Sequence, residues 1–148
     1  MSKFLEWLDS IGRKRIIMDR ICNEPLLTRY YLFLKDRKRF PFNIFLHKFH
    51  KGDPGDVHDH PWPYFTLILK GGYYEWVRNG NCEVRKWRGP GHFRFCSATS
   101  YHRIELAEGI TPWTLFVPGP QTRDWGFLEN GKWIQNDIYL HSKRQHNN

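Results

Sequence analysis

Apolar positions recur at helical spacing only near the start of the chain. Phe4, Leu5, Trp7, Leu8 and Ile11 fall on one face of a 3.6-residue period, with Ser2 placed to cap it. Ile16, Ile17 and Ile21 predict a further helical turn or two ending before Pro25, with Arg13, Lys14 and Arg15 on its solvent side. Residues 1–24 are therefore expected to form a helical segment packed on the outside of a sheet, as a lid or a dimer contact.

From Thr28 onward the pattern changes to short aromatic and β-branched runs. Strands are predicted over 29–34, 43–49, 65–69, 73–77, 83–87, 93–96, 101–106 and 113–117. Asn79-Gly80 marks a tight hairpin, and Gly52-Asp53-Pro54-Gly55, Gly89-Pro90-Gly91 and Pro118-Gly119-Pro120 break the remaining runs. No helical pattern separates the strands, which argues against a parallel βαβ sheet and for an all-β sandwich or small barrel over residues 25–141. Residues 121–133 read as a loop and one more short hairpin turning at Asn130-Gly131, and the polar end, 142–148, reads as a flexible tail.

Composition narrows this picture. Aromatic residues are 17% of 148, and large rings suit a pleated, half-buried surface better than a helix bundle. The length is that of one domain with its own core. A formal charge of +8 favours anionic ligands without choosing among them. Basic clusters occur only at 13–15 and 35–39, and no nucleic-acid motif accompanies them, so nucleic acid is not the expected partner. The three cysteines (Cys22, Cys82, Cys96) form no CxxC pair and suit a reducing compartment. Glu6 and Asp9 interrupt the N-terminal apolar positions, so no secretory leader is expected, and no apolar run approaches membrane-spanning length. A cytoplasmic protein is the expectation, and exposed aromatic edge strands make a homodimer plausible.

The histidines carry the chemistry. His58 and His60 are two apart, so on a strand both imidazoles point to one face and form half of a nitrogen-donor metal site. His102, on the run 101–106, is the candidate third donor. Asp59 should face away from its neighbours, solvated or forming a turn, whereas Asp56 could orient an imidazole. At most one of His47 and His50 can look inward. These two and His92 are expected to be structural or surface residues, and His141 and His146 carry no site argument.

The framing of these histidines resembles the two motifs of the cupin family. G-x5-H-x-H-x3-E-x6-G is matched by Gly52, His58, His60, Tyr64 and Gly71, and G-x5-P-x-G-x2-H-x3-N by Gly91, Ser97, Thr99, His102 and Leu106. Tyr64 replaces the ligand glutamate, Ser97 and Thr99 replace the proline and glycine, and Leu106 replaces the asparagine. The last part of the barrel, 113–117 with 123–127, resembles small cupin-like proteins of bacterial and phage origin. The resemblance implies a jelly-roll (double-stranded β-helix) barrel with an N-terminal helix, holding a divalent metal on His58, His60 and His102. Fe(II) is favoured, with Zn, Ni or Mn as alternatives, since thiol dioxygenases of this superfamily use three imidazoles.

Three neutral ligands leave the ion's charge uncompensated, which favours an anionic co-ligand. Tyr64 could donate a hydrogen bond to it, the alternative being an aromatic filler of the barrel interior. Arg123 and then Arg94 are the arginines expected to hold a substrate anion, with Trp62 as a stacking wall; Arg123 and Tyr64 are the expected catalytic groups. Three functions stay open: a mononuclear non-haem Fe(II) dioxygenase acting on a small anionic substrate, a metal-free sugar-nucleotide isomerase or epimerase with a histidine base and a tyrosine acid, and a non-catalytic binder of a phosphorylated or nucleotide ligand.

Overall fold

A computed structural model describes residues 2–146. The chain order is α1 (Lys3–Ser10), β1 (Lys14–Met18), β2 (Pro25–Tyr31), β3 (Phe45–Phe49), β4 (Tyr64–Lys70), β5 (Tyr73–Asn79), β6 (Cys82–Arg88), β7 (Phe93–Cys96), β8 (His102–Glu105), β9 (Trp113–Pro118), β10 (Gly126–Glu129), β11 (Lys132–Gln135) and α2 (Asn136–His146). Every strand pairing is antiparallel. One sheet runs β1-β2-β3-β9-β4-β7. Facing it are β6-β5-β8 and the hairpin β10-β11, joined through single bridges that His58 makes to His102 and to Phe127.

The two sheets enclose an apolar core of Leu27, Phe49, Ile68, Tyr73 and Ile104, with Ile17 and Leu106 packed against it. Alternation decides which side chains enter it. On β3, Phe45, His47 and Phe49 are all buried. The roll narrows near Gly52, where an added Cβ would lie 2.8 Å from the carbonyl oxygen of Ile104, so only glycine lets the chain pass β8. Gly91 takes φ +83° in the turn before β7, a left-handed conformation that glycine adopts at little cost.

Two expectations are corrected at the ends. The helix stops at Ser10, and residues 14–18, expected to be helical through Ile16 and Ile17, form strand β1 paired with β2. Adjacent β-branched residues favour a pleated edge, and Ile17 opposite Leu27 reaches the core. The sheet thus begins at residue 14 rather than 25. Residues 142–146, expected to be a loose tail, are the last turns of α2; residues 147 and 148 lie outside the described region. Tyr139 stacks on Phe127 with ring centroids 4.0 Å apart, Leu140 is buried beside them, and Lys143 pairs with Glu129 at 2.5 Å. Among the described residues, no helix is long and apolar enough to cross a membrane.

Candidate metal centre

His102 opens β8, and its backbone exchanges both hydrogen bonds with His58, at 2.9 and 3.0 Å. His58 is thus fixed by a two-sided bridge between β8 and β10 rather than by a regular strand, and the N–H of His60 is held by the carbonyl of Ala98 at 3.1 Å. The three rings form a nearly equilateral triangle: centroids are 5.1 Å apart for His58–His60, 5.1 Å for His58–His102 and 5.0 Å for His60–His102. One nitrogen from each lies within 4.8 Å of the others.

The donor set suits a borderline divalent cation. Nε2 of His60 and Nε2 of His102 are 2.8 Å apart, close to the roughly 3 Å expected of two nitrogens each about 2.1 Å from one ion at a right angle. Nδ1 of His58 is buried without a hydrogen-bond partner among the described residues. Burial pushes the His58 imidazole down to about 4, and burial followed by its histidine neighbours holds His60 well below the usual histidine value. Both are neutral at pH 7, the form that ligates.

Glu75, which no motif in the sequence marks, sets the orientation of His102. Its Oε1 accepts a hydrogen bond from Nδ1 of His102 at 3.0 Å, while Oε2 takes Nε of Arg88 at 2.9 Å and pairs with Arg94. Burial alone would raise this carboxyl, but the His102 hydrogen bond and the two arginines outweigh it and hold Glu75 at about 2. A carboxylate that can only accept fixes the proton on Nδ1, leaving the Nε2 lone pair of His102 facing the triangle. A signal was present in the strand: Glu75 lies in phase with Tyr73, and both are buried.

The other expected site residues divide. Tyr64 joins the triangle: its hydroxyl is 3.4 Å from Nε2 of His102, and its ring is 4.8 Å from that of His60 and stacked on Phe116. Burial pushes its phenol well above the usual tyrosine value, so it stays a neutral donor. Trp62 lines the adjoining cavity, with its buried Nε1 unpartnered among the described residues.

Arg123 and Arg94 are not brought to the cavity. Arg123 donates to Asp59 at 2.7 Å, and Arg94 pairs with Glu75 from the far side of the carboxylate. Asp59, expected at the solvent face, has no exposed surface; it also accepts the N–H of Gly126 at 2.7 Å and Nε1 of Trp133 at 3.1 Å, anchoring the segment between His58 and His60 to β10 and β11. Asp56 accepts from the Tyr139 hydroxyl at 2.7 Å instead of orienting an imidazole.

The cavity beside the triangle has a volume of about 560 Å³, within the range of small-molecule sites. Its walls include Phe49, Tyr73, Phe116, Trp125 and Phe127. His47 lies on the opposite sheet, stacked between Phe45 and Phe116; burial and then the charge of Arg29 keep it neutral. His50 bonds Thr28 Oγ1 at 2.7 Å outside this cavity.

This arrangement of two facing sheets recurs in solved structures. The polyketide cyclase RemF from Streptomyces resistomycificus superposes with a TM-score of 0.59 at 15% identity, over 80% of this chain and 82% of that one. A cupin-2 domain protein from Rhodospirillum rubrum gives 0.55 at 14% identity, over 78% and 72% of the two chains. The fold is that of the cupins. Hydroxypropylphosphonic acid epoxidase from S. wedmorenis matches this cupin barrel at 0.51 and 14% identity, covering 72% of this chain and 55% of the epoxidase. No protein-family model matches the chain, and no curated protein does.

Proposed function

We propose that this cupin is a mononuclear metal-dependent enzyme of the non-haem Fe(II) dioxygenase type, acting on a small anionic substrate, with His58, His60 and His102 as the ligands. The observation that carries this reading is the triangle of three imidazoles with no carboxylate among them, its ring centroids 5.0 to 5.1 Å apart. When bound, Fe(II) would supply a redox-active Lewis acid with coordination positions left open. The chain's own groups do the rest. Glu75 fixes the tautomer of His102, Tyr64 offers a neutral phenol to a ligand beside the triangle, Trp62 offers an unpartnered N–H among the described residues, and the aromatic walls offer apolar surface to a ligand body. An iron-containing fold neighbour supports the choice of metal: Fe(II)-HppE with the alternative substrate (S)-1-HPP superposes at a TM-score of 0.53 and 14% identity, over 72% of this chain and 55% of that one.

The Glu75–His102–Tyr64 sequence of contacts also supports a second reading, a metal-free isomerase or epimerase in which the histidine is the base and the phenol the acid. Two measurements decide. Elemental analysis of protein purified without added metal, set beside a His58→Ala/His102→Ala variant, should give one equivalent of metal in the native chain and none in the variant. Oxygen consumption by the iron-loaded protein should appear with some member of a panel of thiols and small acids. A native chain that takes up no metal even after anaerobic Fe(II) loading would overturn the proposal.

A further inference from the structure

The inner face of the larger sheet carries a polar row that faces the cavity. Arg15 on β1 is paired with Arg29 on β2, Arg29 with His47 on β3, and His47 with Thr114 on β9. Directly opposed residues of antiparallel strands share a face, and all four line the same cavity as the histidine triangle. Two arginines opposed in this way repel each other, and that repulsion calls for an anion between them.

The described residues do not supply that anion. Arg29 donates from Nε to Nε2 of His47 at 3.0 Å, its guanidinium lies 4.4 Å from the centroid of the Phe45 ring, and the Tyr31 phenol is beside it. None of these neighbours is a carboxylate. Neither Arg15 nor Arg29 has an acidic partner among the described residues. The three carboxylates on the cavity wall are already engaged: Asp19 by Lys51 at 2.8 Å, Asp53 by the N–H of Ile104 at 2.8 Å, and Glu75 by His102, Arg88 and Arg94. A half-buried guanidinium without a counter-ion, beside aromatic walls, is suited to gripping a planar or tetrahedral oxyanion through its fork.

We propose that Arg29, assisted by Arg15, is the substrate-anion subsite of this cavity. The ligand is an oxyanion, carboxylate or phosphate in type, carried on an apolar body of about ring size that extends toward the histidine triangle. This deepens the metal-enzyme reading and rests on it only for the reacting end of the ligand.

Calorimetric titration with benzoate, phenylphosphonate and the neutral ring compound benzyl alcohol tests the subsite. The native protein should bind at least one of the anions more tightly than the alcohol, and the stronger of the two identifies the head group. R29Q should weaken anion binding roughly tenfold or more, the order of one lost charge-assisted hydrogen bond, and leave the alcohol unchanged. R15Q should lose less, and R29K should recover part of the loss. A folded R29Q protein, verified by circular dichroism, that binds both anions like the native chain would sink the subsite.

The same titration on metal-stripped H58A/H102A protein separates the two proposals. Anion binding retained there and lost on adding R29Q assigns it to the arginines. Anion binding lost there places the anchor at the metal and overturns the inference. A native chain that binds anions through Arg29 yet holds no metal would leave this subsite standing and remove the reading above.

Discussion

Glu75 and His102 lie on adjacent strands, and their side chains meet in a buried hydrogen bond of 3.0 Å. The carboxylate thereby holds one donor of the triangle in its ligating tautomer. E75Q should lower divalent-metal affinity by roughly 10- to 100-fold, measured by competition against a chelating dye. Unchanged affinity would show that His102 orients without it.

Asp19 provides a pH dependence away from the triangle. It is buried, salt-bridged to Lys51 at 2.8 Å, and accepts the N–H of Ile21 at 2.7 Å. Burial would raise its carboxyl, but Lys51 and the backbone donors prevail and hold it below its ordinary value. A depressed carboxyl contributes stability that is fully present above its unfolded value, near 4, and is lost as the pH falls through the folded value. D19N should cost about 2 kcal/mol at pH 7, discounted because Lys51 is partly exposed, and the cost should shrink in acid. Urea midpoints of both proteins between pH 7 and pH 3 check this; a cost that does not change with pH would contradict it.

Arg123 should behave as an anchor. R123A leaves the fully buried Asp59 with its backbone and Trp133 partners but without its cation. Chemical denaturation should show a loss of about 2 kcal/mol. Binding of benzoate or phenylphosphonate by the folded variant should stay close to native, in contrast to R29Q. If R123A instead abolishes anion binding without loss of stability, Arg123 reaches the ligand after all.

The C-terminal helix should be part of the cooperative fold. Leu140 is buried against Phe127 and Tyr139. L140A should therefore cost about 3 kcal/mol, read from thermal or urea unfolding. A change under 0.5 kcal/mol would mean that α2 is detached from the barrel in solution.

The strands, the hairpin turns and the spacing of three histidines were legible because each depends on local pattern: alternation, a turn dipeptide, a fixed interval. Arg29 and His47 were not, because their partnership exists only after β2 pairs with β3, and no linear interval between 29 and 47 encodes it. Arg123 departs from expectation for a related reason. Its nearness to the histidine loop is real, but the turn into β10 brings it onto Asp59 rather than into the cavity. Glu75 is hidden from the motif because the family pattern puts its carboxylate among the ligands, at the position of Tyr64, whereas here a carboxylate stands behind one of them. At the chain ends, the apolar spacing of Ile16, Ile17 and Ile21 fits a helix, but strand pairing with β2 wins for the first two.

The backbone bridge between His58 and His102 bears on how a newly made chain would acquire the proposed ion. Before the roll closes, the polypeptide offers only the neighbouring pair at 58 and 60, a weak two-point chelate; the third nitrogen arrives with the same two hydrogen bonds that stitch the second sheet together. On the proposed metal-binding reading, tight capture would therefore follow closure, and metal content would gauge how many molecules in a preparation have completed their topology.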